Sequence, residues 1–401
     1  MIQEVQKDST LMVKGPSRVT LLEGKVEVFG KEFSPKNGEV ENTLIVPSAS
    51  SYPLFALESS KLEIFTNNKE NLQILEENTI NKEWVKIKDS VINAIRKNEK
   101  NTPLKLMVLG LSNGKTSLIK YLANNILKEG LKAGFLDSDL GQQLLYLPTT
   151  LNIGEIKKDI VSSAEIAAEE TIFIGSTFPK ANFKFIIAHS CVELIDKFTA
   201  KHEDVDIILI DSDGWIKTEA GVIYKSFFIN LVDPDLLIIF QDDEIEELGE
   251  IEKKASKSKK RKLFYLKEEN KYFYEKDKEE RRFLRQSQFA KVLENFRKIS
   301  IPLEGIKFIK AGYNQEEDKV TEEEIDINLL RTLPYHYVIS ALLTEDSKLI
   351  RICLLFVINL EKKYILLFSN LNFKEQSRVK KILLGSLRLS IKGNHQGYLY
   401  L

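Results

Sequence analysis

The stretch LMVLGLSNGKTSLIKYLANNIL, residues 106–127, carries the residue types that hold phosphate groups. An apolar strand pattern leads into Gly110 and Gly114, and Lys115 and Thr116 follow where a helical pattern begins. Glycines between a strand and a helix turn successive backbone N–H groups toward one point, and the helix N-terminus adds partial positive charge. The lysine would contact the β- and γ-phosphates of a nucleotide, and the threonine hydroxyl would bind Mg²⁺. The stretch therefore predicts a nucleotide site.

This phosphate-binding loop is one residue shorter than the usual one. Three residues separate Gly110 from Gly114, where four are usual, and Leu109 stands in the place of the first glycine. Gly110 is displaced by one place and can still supply a tight turn, while Leu109 brings a side chain toward the loop. Both normal and reduced nucleotide affinity are compatible with this change. The predicted nucleotide-binding residues are Gly110, Ser112, Asn113, Gly114, Lys115, Thr116 and Ser117.

Two aspartates follow the next apolar strand, in FLDSDLGQQ. Asp137 and Asp139 are two residues apart, so their side chains lie on the same face of an extended chain. Two carboxylates beside a phosphate site could bind Mg²⁺ through water and accept a proton from an acceptor hydroxyl. The alternative is that they cap the following helix, which would not exclude catalysis. The predicted metal ligands are Thr116, Asp137 and Asp139.

A tryptophan follows a later apolar strand, in ILIDSDGWIKTEAG. Trp215 comes directly after Gly214 at a strand end, where its ring could stack on a nucleic-acid base. Burial in the hydrophobic core is the alternative and is the more frequent place for a tryptophan. The flanking polar residues favour the edge of a site.

The strands that carry these residues alternate with helical patterns between about residues 81 and 300. Strands that are apolar on both faces and separated by helices predict a mostly parallel sheet with helices on both faces. Ligands of such sheets bind at the carboxyl ends of the strands, where the polar residues stand here. Short alternating strands predict β-rich segments on either side. We expect an α/β P-loop NTPase domain at 81–300, flanked by small β-rich domains at 1–80 and 301–401.

Composition limits the classes of protein to consider. The 401 residues suggest two or three domains, and 58 Lys and Arg residues against 59 Asp and Glu residues leave no global basic charge. Cys191 and Cys353 stand in apolar surroundings, as buried thiols of a reducing compartment do, and the histidines have no metal-ligand spacing. The N-terminus lacks a signal-peptide pattern. We expect an intracellular protein with no membrane contact, cytoplasmic or, in a eukaryote, nuclear.

The order and spacing of GLSNGKT, DSDLGQ, GSTFPKANF and DSDGW resemble the RNA-processing polynucleotide 5′-hydroxyl kinase family, in its archaeal form. The segments KGPSRVTLLEGKVEVFGKEF before them and ILLGSLRL after them extend the resemblance over nearly the whole chain. The family includes the kinase of the pre-mRNA cleavage complex and the pre-ribosomal RNA processing kinases. The resemblance implies transfer of the γ-phosphate of ATP or another NTP, with Mg²⁺, to the 5′-hydroxyl of RNA and sometimes of DNA. An endonuclease or other RNA-processing partner is also implied.

The resemblance also assigns residues to the acceptor. Gln142 matches the glutamine of the family's Asp-x-Gly-Gln motif, Thr177 and Pro179 match a loop that lines the nucleic-acid channel, and Trp215 matches the aromatic residue that clasps the terminal base. Ser212 stands where the family often has threonine.

An arginine-bearing lid is the last element of the family pattern, and KEERRFLRQSQFAKVLENF fits it within about residues 250–297. Arg281 and Arg285 are one helical turn apart and could hold the same anion, as the transferred phosphoryl group requires. Arg282 is an alternative to Arg281, and a solvated helix face is the plain alternative for all three. With Lys115 and Asp139, Arg281 and Arg285 are the predicted catalytic residues.

Two other functions are alternatives to phosphate transfer. A non-catalytic nucleotide-binding scaffold of an RNA-processing complex would suit the shortened loop. A GTPase switch would need an Asn/Thr-Lys-x-Asp element on a later strand, and DLLIIFQDDE offers none. The basic run KKASKSKKRK, residues 253–262, has three interpretations: a solvated hairpin, a nuclear localisation signal, or an RNA-backbone contact near the mouth of the site.

Overall fold

The N-terminal part of the chain forms two antiparallel β-sheets. The computed structural model describes residues 1–35, 42–111, 114–242, 244–267, 272 and 274–401. Its first strands are β1 (Ile2–Val5), β2 (Thr10–Lys14), β3 (Ser17–Glu23), β4 (Val26–Val28), β5 (Lys31–Phe33), β6 (Thr43–Val46), β7 (Ser51–Ala56), β8 (Ser60–Thr66) and β9 (Leu72–Leu75). They pair in the orders β1-β8-β3-β6 and β5-β4-β7-β2-β9. Alternate residues such as Leu11 and Val13 fill the core, as the alternating pattern predicts.

The central part of the chain alternates strands and helices. Its elements are α1 (Lys82–Arg96), β10 (Leu104–Leu109), α2 (Lys115–Lys128), β11 (Ala133–Asp137), β12 (Thr150–Glu155), β13 (Glu170–Phe173), α3 (Phe183–Lys201), β14 (Ile207–Asp211), α4 (Glu219–Val232), β15 (Leu236–Gln241), α5 (Glu246–Ala255), β16 (Lys262–Lys267) and α6 (Lys278–Leu293). The sheet order is β13-β12-β11-β14-β10-β15-β16. Strands β11, β14, β10, β15 and β16 are parallel, and β12 and β13 form an antiparallel edge.

Both faces of this sheet are covered by helices. In β10, Leu106 and Val108 pack in one hydrophobic cluster with residues of α1 and α2, whereas Met107 and Leu109 pack in another with residues of α3, α4 and α5. A strand buried on both faces loses the polar alternation of a half-exposed strand, which is why its sequence is uniformly apolar. The predicted α/β sheet with helices on both faces is confirmed, and strands β12 and β16 are additions to it.

The C-terminal part of the chain is again rich in β-structure. Its elements are β17 (Arg297–Pro302), β18 (Lys307–Asn314), β19 (Lys319–Glu324), α7 (Ile327–Thr332), β20 (Val338–Leu343), β21 (Leu349–Asn359), β22 (Tyr364–Ser369), α8 (Phe373–Gln376), β23 (Lys381–Leu389) and β24 (His395–Tyr398). They form one sheet in the order β17-β22-β21-β20-β23-β18-β19, with β24 beside β23. Both cysteines are buried and unpaired. None of the helices in the described residues has the length and apolar character that crossing a membrane requires.

The lid expected at about residues 250–297 is wrong in its first half. Helix α5 buries Leu248 and Ile251 in the core, and β16 joins the central sheet as a parallel partner of β15. Leu248, Ile251 and Ala255 have the spacing of one buried helix face and pack α5 against the sheet. The many charged residues between them make this spacing difficult to recognise in the sequence. Of the described residues in the predicted lid, those that face the site described below lie in α6 and in the segment just before it.

The basic run at residues 253–262 lies away from the site, contrary to one of its three interpretations. Lys262 pairs with Leu236 at the amino end of β15, whereas the phosphate-binding loop follows the carboxyl end of β10. The guanidinium of Arg261 is buried and donates hydrogen bonds to the carbonyl oxygens of Ala255, Pro234 and Ile229 and to the carboxylate of Asp233. Arg261 therefore ties α4 and α5 to the sheet and is not available to RNA.

Candidate nucleotide and acceptor site

The polar ends of the central strands open into one cavity of about 760 Å³. It is lined by residues of the phosphate-binding loop, by the loops after β11, β13 and β14, by α6, and by residues before α1. The predicted site residues on its wall are Gly114, Lys115, Thr116, Ser117, Asp139, Gln142, Thr177, Pro179, Trp215, Arg281 and Arg285. Ser112 and Asn113 lie outside the described residues. The structure thus brings most of the predicted residues to one place.

The phosphate-binding loop is held by two glycines and a lysine. Gly114 has a φ of 93° and forms the N-terminal cap of α2, a left-handed conformation that favours glycine. A side chain at Gly110 would bring a Cβ within 2.7 Å of Phe240 Cβ, so the displaced glycine allows β10 to leave the sheet beside β15. Lys115 Nζ donates a hydrogen bond of 2.8 Å to the carbonyl oxygen of Gly110. The ammonium group therefore lies within the loop, where a phosphate would be its alternative partner.

The partner of Thr116 is an aspartate that the sequence analysis did not assign. Thr116 Oγ1 donates a hydrogen bond of 2.5 Å to Asp211 Oδ2, and Asp211 is the last residue of β14. Burial raises the pKa of Asp211, while the charge of Lys115 and the hydrogen bond from Thr116 oppose the rise. The sequence pattern that could have identified Asp211 is an aspartate at the end of an apolar strand. The same pattern predicts Asp137 as a site residue.

Asp137 does not line the cavity, and its role as a metal ligand stays a prediction. Its Oδ1 accepts a hydrogen bond from the backbone N–H of Asp139 at 3.1 Å, and its Oδ2 accepts one from Leu144 N–H at 3.4 Å. Burial, followed by repulsion from Asp211, raises its pKa well above the ordinary value. Asp137 therefore shapes the loop after β11.

Asp139 lines the cavity, and its side chain also holds the loop after β11 in its conformation. Its Oδ1 accepts hydrogen bonds from the N–H groups of Gly141 at 2.8 Å and Gln142 at 3.0 Å, which stabilise a turn. The element that follows this turn is strand β12, so the expectation that Asp137 and Asp139 cap a following helix is wrong. Burial, followed by repulsion from Asp213, raises the pKa of Asp139. A higher pKa makes a carboxylate a stronger proton acceptor.

Helix α6 contacts the loop after β11 through both of its predicted arginines. Arg285 Nε donates a hydrogen bond to Gly141 O at 3.1 Å, and Gln142 Nε2 donates one to the backbone oxygen of Arg281 at 3.3 Å. Arg281 and Arg285 line the cavity, whereas Arg282 is exposed and does not. The structure thus favours Arg281 over its alternative.

A further lysine accompanies the lid arginines. Lys276, just before α6, lines the cavity, and burial followed by repulsion from Arg281 lowers its pKa. Its position in a charged segment gave no sequence signal. Lys276, Arg281, Arg285 and Lys291 of this segment therefore line the same cavity as Asp139.

The acceptor side of the cavity is built around Trp215. Its ring centroid lies 4.6 Å from that of Phe178, and its backbone N–H donates to Asp213 Oδ1 at 2.8 Å. Asp213 Oδ2 in turn lies 2.9 Å from Nζ of Lys225, whose side chain is fully buried. A Cβ at Gly214 would lie 1.7 Å from Leu111 O, so this position requires glycine. Trp215 is partly exposed and lines the cavity, and its contact with a base stays a prediction.

The loop after β13 is fixed from the C-terminal sheet. Ser386 N–H donates a hydrogen bond of 2.7 Å to Gly175 O. A Cβ on Gly175 would lie 2.4 Å from the Cα of Gly385, so the two backbones meet where only glycine fits. This contact places Thr177 and Pro179 on the cavity wall.

The donor set suits Mg²⁺ held jointly with a nucleotide. Among the described residues, no group of three or more His, Cys, Asp or Glu side chains is arranged to hold a metal on its own. Mg²⁺ is usually bound by one or two protein oxygens, with phosphate and water completing the shell. Thr116 Oγ1 and the adjacent Asp211 carboxylate provide such oxygens, and Asp139 lies on the same wall.

These features define an α/β protein with a P-loop nucleotide site. Residues 111–295 match the family described as the P-loop of the mRNA cleavage and polyadenylation factor CLP1.

Several relatives extend the similarity beyond this segment. The chain is 32% identical to a polyribonucleotide 5′-hydroxyl-kinase of Pyrococcus furiosus over 224 residues, 55% of this chain and 59% of the relative. It therefore spans less than two thirds of that protein. It is 26% identical to the enzyme of the same name from Methanocaldococcus jannaschii, over 74% of this chain and 90% of the relative. The CLP1 homolog 5 protein of Arabidopsis thaliana is 26% identical over 73% and 69%, respectively.

A solved structure shares the fold. A structure of Clp1p with Pcf11p, described for an extended interface and for ATP loss in a point mutant, superposes with a TM-score of 0.74. The match covers 97% of this chain and 98% of Clp1p at 13% sequence identity. The arrangement of the β-rich parts around the P-loop sheet is therefore the Clp1p fold.

Proposed function

We propose that this protein is a polynucleotide 5′-hydroxyl kinase, which transfers the γ-phosphate of ATP or another NTP to the 5′-hydroxyl of RNA, and also of single-stranded DNA. One observation carries the proposal: a single cavity joins the phosphate-binding loop with Lys115 to an aromatic wall at Trp215. Asp139, Arg281 and Arg285 also line that cavity. A nucleotide and a polynucleotide end can therefore share it.

The chemistry follows from the positions of these side chains. The backbone of the loop and Lys115 would hold the β- and γ-phosphates, while Thr116 and Asp211 would hold Mg²⁺, which when bound neutralises phosphate charge. Asp139 would accept the proton of the 5′-hydroxyl while the hydroxyl oxygen forms a bond to the γ-phosphorus. The bond between that phosphorus and the bridging oxygen breaks, and the nucleoside diphosphate leaves. Arg281 and Arg285 would stabilise the negative charge on the transferred group.

The relatives support this proposal, since those from Pyrococcus furiosus and Methanocaldococcus jannaschii both carry the name polyribonucleotide 5′-hydroxyl-kinase. The acceptor wall agrees with an RNA end, because Trp215 and Phe178 present aromatic faces on which a base can stack. The Clp1p structure contains Pcf11p, so we also propose an RNA-processing partner, such as an endonuclease, for this protein. Its proposed compartment is the cytoplasm, or the nucleus in a eukaryote.

We also propose a division of labour along the chain. Residues 81–300 would form the kinase domain, with α6 as its lid, and residues 1–80 and 301–401 would form separate β-rich domains. The N-terminal residues would contribute to the site, because the cavity wall includes Tyr52 of β7 in addition to the P-loop residues. The C-terminal residues act through Ser386 and its contact with the loop after β13.

A non-catalytic nucleotide-binding scaffold is the second candidate. The observation that favours it is the hydrogen bond from Lys115 Nζ to Gly110 O, which engages the ammonium group within the shortened loop. The scaffold predicts nucleotide binding without transfer. A kinase requires that a bound phosphate replaces the carbonyl as the partner of Lys115.

The deciding experiment incubates the protein with γ-labelled ATP and 5′-hydroxyl oligonucleotides of RNA and DNA, with and without Mg²⁺. We expect label on the RNA with wild-type protein and none with Lys115→Ala. Lys128→Ala, at the exposed end of the same helix, is the matched control and should retain activity. ATP binding without label on any oligonucleotide would establish the scaffold instead.

A further inference from the structure

A second aromatic surface lies beyond the acceptor end of the cavity. It consists of Lys180, Tyr398 and Tyr400, and we call it the tyrosine surface. Lys180 Nζ lies 5.3 Å from the ring centroid of Tyr398 and 4.9 Å from that of Tyr400. The two ring centroids are 6.0 Å apart. A cation and two rings thus form one compact group.

The two tyrosines face outward because the residue between them faces inward. Leu399 is buried in the C-terminal core at 1% exposure, whereas Tyr398 is 40% and Tyr400 70% exposed. In an extended chain, residues two apart lie on the same face, so fixing Leu399 inward presents both rings to solvent. The rings are therefore held in place by the backbone and remain accessible.

A chain of backbone hydrogen bonds links this surface to the cavity wall. Leu399 N–H donates to Ser386 O at 2.8 Å, and Ser386 N–H donates to Gly175 O at 2.7 Å. Gly175 begins the loop that carries Thr177 and Pro179, which line the cavity, and Lys180 follows directly. The tyrosine surface is therefore a continuation of the acceptor wall.

The lid helix borders the same surface. A Cβ at Gly393 would lie 2.7 Å from the backbone nitrogen of Ala290 in α6, so the segment before β24 packs directly on the lid. Repulsion from Arg282 and Arg285, after burial, lowers the pKa of His395, which places both guanidinium groups near β24. The ring centroid of His395 lies 4.8 Å from that of Tyr398. Arg285 lines the cavity, and Arg282 is exposed on the same helix.

We propose that the acceptor strand, downstream of its 5′-terminal nucleotide, leaves the cavity over Lys180 and stacks its bases on Tyr398 and Tyr400. Lys180 and Arg282 would contact the phosphates of this segment. The inference rests on the proposed function for the direction of the strand. Rings interleaved with cations are what a single strand requires, because bases stack on aromatic faces and phosphates pair with cations.

The test measures the binding of two 5′-hydroxyl RNAs that carry a label at the 3′ end. One is a dinucleotide and the other is a longer single strand, and both are measured in the absence of ATP. We expect the double variant Tyr398→Ala, Tyr400→Ala to weaken the longer RNA about tenfold or more, the scale of one lost base stack. Dinucleotide binding should be unchanged. Tyr398→Phe with Tyr400→Phe keeps both rings and should bind as wild type does.

Charge is tested separately. Lys180→Ala should weaken the longer RNA and flatten its salt dependence. The matched control is Lys259→Ser with Lys260→Ser, which removes two exposed lysines at the opposite edge of the sheet. This control should change neither the affinity for the longer RNA nor the salt dependence of its binding.

The outcomes separate this inference from the proposed function. Unchanged affinity for the longer RNA in folded alanine variants overturns the inference, whatever the kinase assay shows. Equal weakening of both RNAs also overturns it, since the tyrosines would then act only by shaping the loop after β13. Loss of a protein partner with RNA binding intact would assign the surface to that partner and overturn it too. Tyrosine-dependent binding of the longer RNA by a protein that transfers no phosphate would support the inference and refute the kinase.

Discussion

Thr116 Oγ1 and Asp211 Oδ2 are joined by a hydrogen bond of 2.5 Å that connects the first turn of α2 to the end of β14. The bond places a hydroxyl and a carboxylate side by side at the base of the cavity. These are oxygen ligands of the kind that Mg²⁺ binds together with nucleotide phosphates. The pair thus adds Asp211 to the residues expected to support phosphate transfer.

Asp211→Asn should lower the turnover number and raise the Mg²⁺ concentration needed for half-maximal rate, each by about tenfold or more, because a neutral amide is a weak ligand for a hard cation. The measurement is the kinase rate across a Mg²⁺ titration. Asp137→Asn is the comparison variant, since Asp137 accepts backbone hydrogen bonds from Asp139 and Leu144, whereas Thr116 donates to Asp211. It removes a buried charge that Asp211 repels, so stability should not fall, and the Mg²⁺ requirement should be unchanged. The same Mg²⁺ profile in Asp211→Asn as in wild type would remove Asp211 from the metal site.

The difference between Asp137 and Asp211 shows why the sequence alone could not predict which aspartate contacts Thr116. The two residues end neighbouring parallel strands and pair in register, so each fits the same pattern of an aspartate after an apolar run. Which one meets Thr116 depends on the strand order. Chain order suggests that β11 lies beside β10, but β14 lies between them. A local pattern identifies the strands and not their order.

The same limit applies to strand β12. Asn152 is buried in this strand, where its side chain donates to Thr150 Oγ1 at 2.8 Å and accepts from Thr171 Oγ1 at 2.7 Å. The polarity of Asn152 interrupts the apolar pattern that predicts strands β10, β11, β14 and β15. Thr171, the partner that compensates for the burial of Asn152, lies on β13. The site loops were predictable because glycines, aspartates and a tryptophan at strand ends are visible locally.

Asp139→Asn should lower turnover about a hundredfold while ATP affinity changes little, because the change removes a proton acceptor but almost no contact area. An amide oxygen can still accept the hydrogen bonds from Gly141 and Gln142, so the loop should keep its shape. Single-turnover rates and the dissociation constant of ATP provide the two measurements. Equal loss of ATP affinity, with turnover preserved at saturation, would contradict the role of Asp139.

Trp215→Ala should weaken 5′-hydroxyl RNA by about 1–3 kcal/mol, the scale of one stack between a base and an aromatic ring, without changing ATP affinity. Trp215→Phe keeps an aromatic face and serves as the control. The measurement is titration of a fluorescent RNA dinucleotide. RNA affinity that survives in a folded alanine variant would assign Trp215 to packing against Phe178.

Lys225→Met should destabilise the protein by about 3–5 kcal/mol, because it leaves the largely buried charge of Asp213 without its partner. Since Asp213 also accepts the backbone N–H of Trp215, RNA affinity should fall as well. Adding Asp213→Asn to Lys225→Met removes the uncompensated charge and should recover most of the stability. Denaturant unfolding of the single and double variants checks this. A double variant that is less stable than Lys225→Met would show that the ion pair is not the cause.

Lys120→Met should remove a rise of stability with pH that burial of Lys120 creates. Lys120 Nζ donates to Val161 O and lies 4.0 Å from the ring centroid of Phe29, and burial followed by repulsion from Lys276 lowers its pKa from 10.5 to about 7. Between these values the unfolded chain binds the proton that the folded chain has lost, so stability rises with pH by at most about 1.4 kcal/mol per unit. Below about pH 7 both states are protonated, and the full cost of burying the charge is present.

The measurement is urea unfolding of wild type and Lys120→Met at several pH values from 7 to 10. Fluorescence of Trp84 can follow it, because its ring centroid lies 5.8 Å from that of Tyr121, the residue after Lys120. The stability of wild type relative to Lys120→Met should increase steadily across this range, since only wild type has the depressed lysine. Lys86→Met, an exposed lysine of α1, should follow the wild-type profile. Parallel profiles for wild type and Lys120→Met would mean that Lys120 remains charged in the folded protein.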